Sequence, residues 1–88
     1  MKEIAYPVIF RVDEEDPEFV NVTIPDIWAG VTCGVGFANA VYMAADLLKL
    51  MLETAPAQCM PPHSLEHTQK AFPDDKILMI KVKYKEPK

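Results

Sequence analysis

Cysteine is scarce in this chain, two among 88 residues, and nothing in front of them reads as an export signal. Residues 1–10 lack the cationic segment, the uninterrupted apolar core and the small-residue cleavage site of a secretory leader. Cys33 and Cys59 therefore read as reduced thiols buried as small hydrophobes rather than as a disulfide. A long apolar run is missing too. The longest, Ala40 to Leu52, is interrupted by Asp46 and Lys49 and is too short to span a bilayer. Positive charge is in deficit, with a formal net charge of −4. Phosphate binding needs a concentrated basic surface, so nucleic acid is a poor main ligand, whereas a basic protein partner suits an acidic chain. These absences describe a cytoplasmic protein with no membrane contact.

What is present suits one small domain over residues 1–88. Half the residues are apolar and a quarter charged, which is ordinary for a globular protein and too hydrophobic for disorder. A chain this short buries a modest fraction of its surface on folding, so a second copy or a partner is expected to add burial.

Ile4 to Val12 alternates as a strand, with Tyr6, Val8, Phe10 and Val12 on one face and Ile9 suggesting burial on the other. Pro7 has no donor and must face away from a ladder bond or lie near a strand end. Asp13-Glu14-Glu15-Asp16-Pro17 is an acidic turn. It lacks the spaced ligands and central Gly of a calcium loop. Phe19 to Ile24 is a second strand with clean alternation, ended by Pro25-Asp26. Ile27-Trp28-Ala29-Gly30 is a connector, and Val31-Thr32-Cys33 a brief third strand stopped by Gly34. From Phe37 to Glu53 the spacing predicts a helix. Phe37, Ala40, Val41, Ala44, Leu47, Leu48, Met51 and Leu52 share its apolar face. Met43 and Leu50 lie on the opposite half beside Asn39 and Asp46, a candidate contact with another subunit. Thr54 to Pro62 is a Pro-rich break, Ser64 caps a short helix to Ala71, and Ile77 to Tyr84 is a last strand.

Few residues suggest chemistry. Cys59-x3-His63-Ser64-Leu65-Glu66-His67 contains the spelling His-x-x-Glu-His, but Pro61 and Pro62 stand where a ligand-bearing helix would have to begin. Gly34-Val35-Gly36 before a helix lacks the third Gly of a dinucleotide turn, Asn39 standing in its place. Neither histidine is near Cys33 in sequence. Lys81, Lys83, Lys85 and Lys88 come without arginine or an aromatic platform, a poor nucleic-acid site. No catalytic residue, metal or cofactor is expected.

One combination is specific. Tyr6, Pro7, Val8 and Phe10 open the first strand; Phe19, Val22, Ile24, Pro25 and Asp26 make an aromatic-led strand ending in Pro-Asp. Gly30, Thr32 and Gly34 follow, and then Ala40, Ala44, Leu48 and Leu52 in helical phase. Over about residues 4–53 this order resembles the N-terminal domain of the HicB antitoxins, the neutralising half of HicA/HicB toxin–antitoxin modules. There are departures: Gly36 stands where the family usually has a capping Ser or Thr, Ala38 and Asn39 where it has acids, and Trp28 where it has Pro or a small residue. The DNA-binding segment of many members has no match here.

The resemblance implies an α+β fold of partial RNase H type. It has two layers and the element order β-β-β-α-β. The four-stranded sheet is mixed, in order 3-2-1-4, with one main helix on one face. It carries no RNase H carboxylate cluster, since Tyr6 to Arg11 has none and Asp46 stands alone. It also implies a partner, a small basic HicA-like ribonuclease whose RNA-binding face the domain would cover. Asp13, Glu14, Glu15, Asp16 and Asp26 are the candidates to steer that encounter. Trp28, either packed under its loop or displayed, is the candidate anchor.

Overall fold

Alternation decides which side of each strand is buried. In the computed structural model, which describes residues 1–87, β1 is Lys2–Val12, β2 Phe19–Thr23, β3 Val31–Val35 and β4 Lys76–Tyr84. Lys88 lies outside the described residues. Tyr6, Val8, Phe10, Val20, Val22, Ile80 and Val82 point to one side and are buried there. Against them lies α1, Phe37–Thr54, whose buried residues Ala40, Ala44, Leu48 and Leu52 recur every fourth position. Those four form the centre of the apolar face that the periodicity predicts; Val41, Leu47 and Met51 beside them are half-buried, and Phe37 is exposed. Alanine at the first two of the four lets the helix backbone touch β3. A Cβ on Gly34 would sit 2.5 Å from the Ala40 amide nitrogen, so only glycine fits. Gly36 precedes the helix at φ 82 with no side-chain cap, whereas the Ser64 oxygen accepts from the His67 N–H and caps α2, Leu65–Ala71.

The class is α+β and the strand order is β3-β2-β1-β4, as expected. One detail differs: all neighbouring strands are antiparallel, so the sheet is not mixed. The cause is the path after α1. A 3₁₀ turn at Pro56–Gln58 and then α2 take the chain back to the end of the sheet where α1 began. β4 therefore enters beside Phe10, opposite Lys76, and leaves beside Lys2, opposite Tyr84.

A second difference follows. Pro7, Ile9 and Ile77 point away from α1, yet they are buried, with Ile9 directly opposite Ile77. The element that packs on β4 without sharing the α1 side is α2, and its Thr68 is buried. The second face is thus covered over β1 and β4 but bare over β2 and β3.

Backbone direction explains Pro7. The Ile24 N–H donates to the Gly30 carbonyl and the Gly36 N–H to the Glu18 carbonyl, both at 2.7 Å, so even-numbered residues of β2 bond to β3. Odd-numbered residues of β2 turn to β1, and odd-numbered residues of β1, Pro7 among them, turn to β2. The β1–β2 ladder begins only at Ile9 opposite Thr23. The donor that proline lacks would have met nothing.

Candidate functional site

The acidic hairpin builds itself from its own carboxylates. Asp13 Oδ1 accepts from the Glu15 N–H at 2.8 Å and the Asp16 N–H at 3.3 Å. Asp16 Oδ1 accepts from the Glu18 N–H at 3.2 Å. Those backbone donors, Glu15 first and Asp16 second, hold the Asp13 carboxyl below the usual carboxylate range. Asp13 and Asp16 therefore shape the turn, while Glu14 and Glu15 stand exposed at its tip.

Asp26 is not a surface acid. It is 4% exposed. Its Oδ2 accepts from the His63 backbone N–H at 3.0 Å, and its Oδ1 lies 2.5 Å from His63 Nδ1. The Asp26 carbonyl also accepts from the Met60 N–H at 2.8 Å. Burying an unpartnered carboxylate would be costly, and these donors offset that cost. Asp26 is thus not displayed in the way a steering acid would be: it fastens the Cys59–His63 segment to the β2–β3 connector.

That fastening displays Trp28. The Trp28 N–H donates to the Gln58 carbonyl at 2.9 Å, and Ile27 bridges to Cys59. Ala29 takes a positive φ of 59, turning the chain sharply before the tightly enclosed Gly30. The side chain of Trp28 is left 76% exposed on a connector pinned from below. Of the two readings its position allowed, packed or displayed, the structure shows the second. Trp28 and the hairpin sit at opposite ends of β2, whose five residues separate them by roughly 13 Å before the loops are added. A partner reaching both would lie along β2 and β3.

The alternation of β2 implies one wet face, but its continuation across β3 was missed in the sequence. Phe19, Val31, Cys33 and Val35 are exposed together on the side away from α1. Cys33 is therefore no buried thiol, because Gly34 is the β3 residue that meets the helix. Cys59 is half-buried, with its thiol against the Ala55 carbonyl and pushed up by burial. On α1, Met43 is half-buried and Leu50 exposed, with Tyr42 exposed beside them.

The histidines do not form a ligand set. His63 and His67 stack at 4.3 Å, His63 is engaged with Asp26, and among the described residues no group of three His, Cys, Asp or Glu converges. Asp26 and His63 form the orienting half of a triad, but the Ser64 hydroxyl next in the chain is committed as a helix cap. An open crevice of about 540 Å³ lies nearby, lined by Tyr6, Leu52, Cys59, Pro61 and Tyr84 among others. The Tyr6 hydroxyl donates to the Met60 carbonyl at 2.7 Å, and burial pushes its pKa up to about 12. The arrangement can hold a loop and present a surface. Among the described residues, no helix is long and apolar enough to cross a membrane.

No protein-family model matches the chain, and no curated protein matches it. The likeness to HicB therefore rests on the residues quoted above. Several have visible structural roles: Tyr6, Ala40 and Ala44 in the core, Pro7 beyond a ladder end, and Gly30 and Gly34 at close approaches.

Proposed function

We propose that this chain is a HicB-like antitoxin, a cytoplasmic homo-oligomer that binds a HicA-type mRNA interferase and covers its RNA-binding face. The family part of the reading rests on the residue order quoted above, and the observation that carries partner binding is Trp28, an aromatic displayed on a pinned connector, where exposure gains nothing for folding. Neutralisation of this kind is occlusion and needs no catalysis, metal or cofactor from the chain. An interface of about 1,200–2,000 Å² in total suffices. Glu14 and Glu15, with Asp13 and Asp16 behind them, would steer a basic toxin, and Trp28 would hold it. Promoter binding is no part of the activity proposed for this polypeptide alone.

The test is co-expression with a HicA-like toxin encoded beside the gene. Growth should be restored and the two proteins should co-purify. Neutralising Glu14 and Glu15, whose side chains stand exposed at the tip, should slow association and weaken its salt dependence. Trp28→Ala should speed dissociation, at a cost of up to roughly 2 kcal/mol. A folded chain that neither binds nor neutralises the toxin sinks the reading. A stand-alone homo-oligomeric binding module without a toxin is the alternative, favoured by the bare β3 side of the sheet.

A further inference from the structure

β3 is an edge strand whose free side is unlike the other edge of the sheet. Among the described residues it has a strand neighbour on one side only. Its even-numbered residues bond to β2, so Val31, Cys33 and Val35 turn their N–H and C=O groups outward. Two of those donors are satisfied locally. The Val31 N–H donates to the Ala29 carbonyl at 2.9 Å, and the Val35 N–H to Asn39 Oδ1 at 2.9 Å. By that alternation the N–H and C=O of Cys33, midway between them, face open space.

The strand is also symmetric about that point. Val31-Thr32-Cys33-Gly34-Val35 reads valine, small, cysteine, small, valine in either direction. A two-fold axis through Cys33 sets Val31 opposite Val35 of the second copy, and Thr32 opposite Gly34. No side chain on β3 is charged. On the opposite edge, β4 carries Lys76, Lys81 and Lys83, side chains of the kind that discourage edge-to-edge pairing. The charge pattern therefore admits a copy at β3 and discourages one at β4.

The helix supplies the second half of the surface. Asn39 reaches the outward Val35 N–H, so its side of α1 overlooks the open edge. Asn39, Met43, Asp46 and Leu50 follow at steps of four, three and four, one stripe of the helix. Tyr42 and Leu50 are exposed there. These include the residues whose position on the wet half of the helix suggested a subunit contact. The monomer also exposes more surface than its mass requires: 5787 Å², against ~5200 Å² for a compact monomer of this size.

We infer that two copies of this chain pair β3 to β3 about a two-fold axis through Cys33, with the Asn39–Leu50 stripes of their α1 helices packed against each other. Cys33 exchanges both backbone bonds with its counterpart. The locally satisfied Val31 and Val35 donors keep the ladder short, so the α1 stripes supply much of the contact. The sheet becomes continuous across the axis and closes as a dimer rather than growing into a fibre. The inference rests on the homo-oligomeric part of the proposed function and is independent of any toxin.

The test uses the whole chain with Cys59→Ser, leaving Cys33 as its one thiol. Light scattering should give twice the 9.9 kDa chain mass. A short bismaleimide should trap a covalent dimer, and Cys33→Ser in that background should abolish the trapping. Leu50→Glu and Tyr42→Glu, both at exposed sites, should each weaken dimerisation about tenfold or more. A monomer at tens of micromolar overturns both this inference and the homo-oligomer. A dimer that is not trapped through Cys33, or that is indifferent to both helix variants, overturns this interface alone. Toxin neutralisation is read separately by co-expression, so its failure is distinguishable from either.

Discussion

The two faces of β2 and β3 have been put to different uses. On one, Val20, Val22 and Gly34 are closed under α1, and the contact is tight enough to exclude a Cβ at Gly34. On the other, Phe19, Val31, Cys33 and Val35 are apolar and exposed, Val31 by 64% and Val35 by 59%. Folding accounts for the first face. It leaves the second unexplained, because apolar residues gathered on an open sheet surface contribute little to a monomer. Trp28 stands beyond one end of that open region and the acidic hairpin beyond the other. One side of these strands thus holds the fold together, and the other is left open to solvent.

Core truncation should separate the two faces most. Leu48→Ala removes a fully buried side chain under the sheet and should cost about 2–5 kcal/mol in urea unfolding. Phe19→Tyr on the open face, away from the β3 edge, should change stability by less than about 0.5 kcal/mol. Equal losses would erase the distinction between the faces.

The next effect concerns the loop that carries Trp28. Asp26→Ala leaves the His63 N–H and imidazole without their partner, and should cost about 1–3 kcal/mol. It should also speed hydrogen exchange at the Trp28 amide, which depends on the segment that Asp26 fastens. Unchanged exchange would show that the connector is held by other means.

A smaller effect appears at high pH. Tyr6 titrates near 12 because it is buried, above its ordinary value of 10.0. Its folded-state pKa is raised, so its contribution is complete below the unfolded value and is lost as pH rises through about 10 to about 12. Ultraviolet titration should find a tyrosine step near 12. Its replacement by Phe should remove that late step.

Much of the closed face was legible from residue order. The stripe Ala40, Ala44, Leu48 and Leu52 follows the helical period, and β1 and β2 alternate as strands do. The Ser64 cap was visible as well. Contacts distant in the chain were not. Asp26 looked like a surface acid because His63, which explains its burial, lies 37 residues on. The direction of β4 depends on where the Pro-rich segment and α2 lead the chain, which no local pattern encodes. Cys33 looked buried because alternation alone does not say which β3 residues meet the helix; the Gly34–Ala40 contact decides that. Trp28 was recognised as a candidate anchor, but its exposure depends on Gln58 and Cys59, again remote in sequence.

Cleavage of RNA by a HicA-type toxin, titrated with this chain, tests the proposed function most directly. Activity should fall in proportion to the chain added and reach background near one chain per toxin. Trp28→Ala, still folded by circular dichroism, should shift that titration to higher concentration. Undiminished cleavage in the presence of excess folded chain would contradict the account.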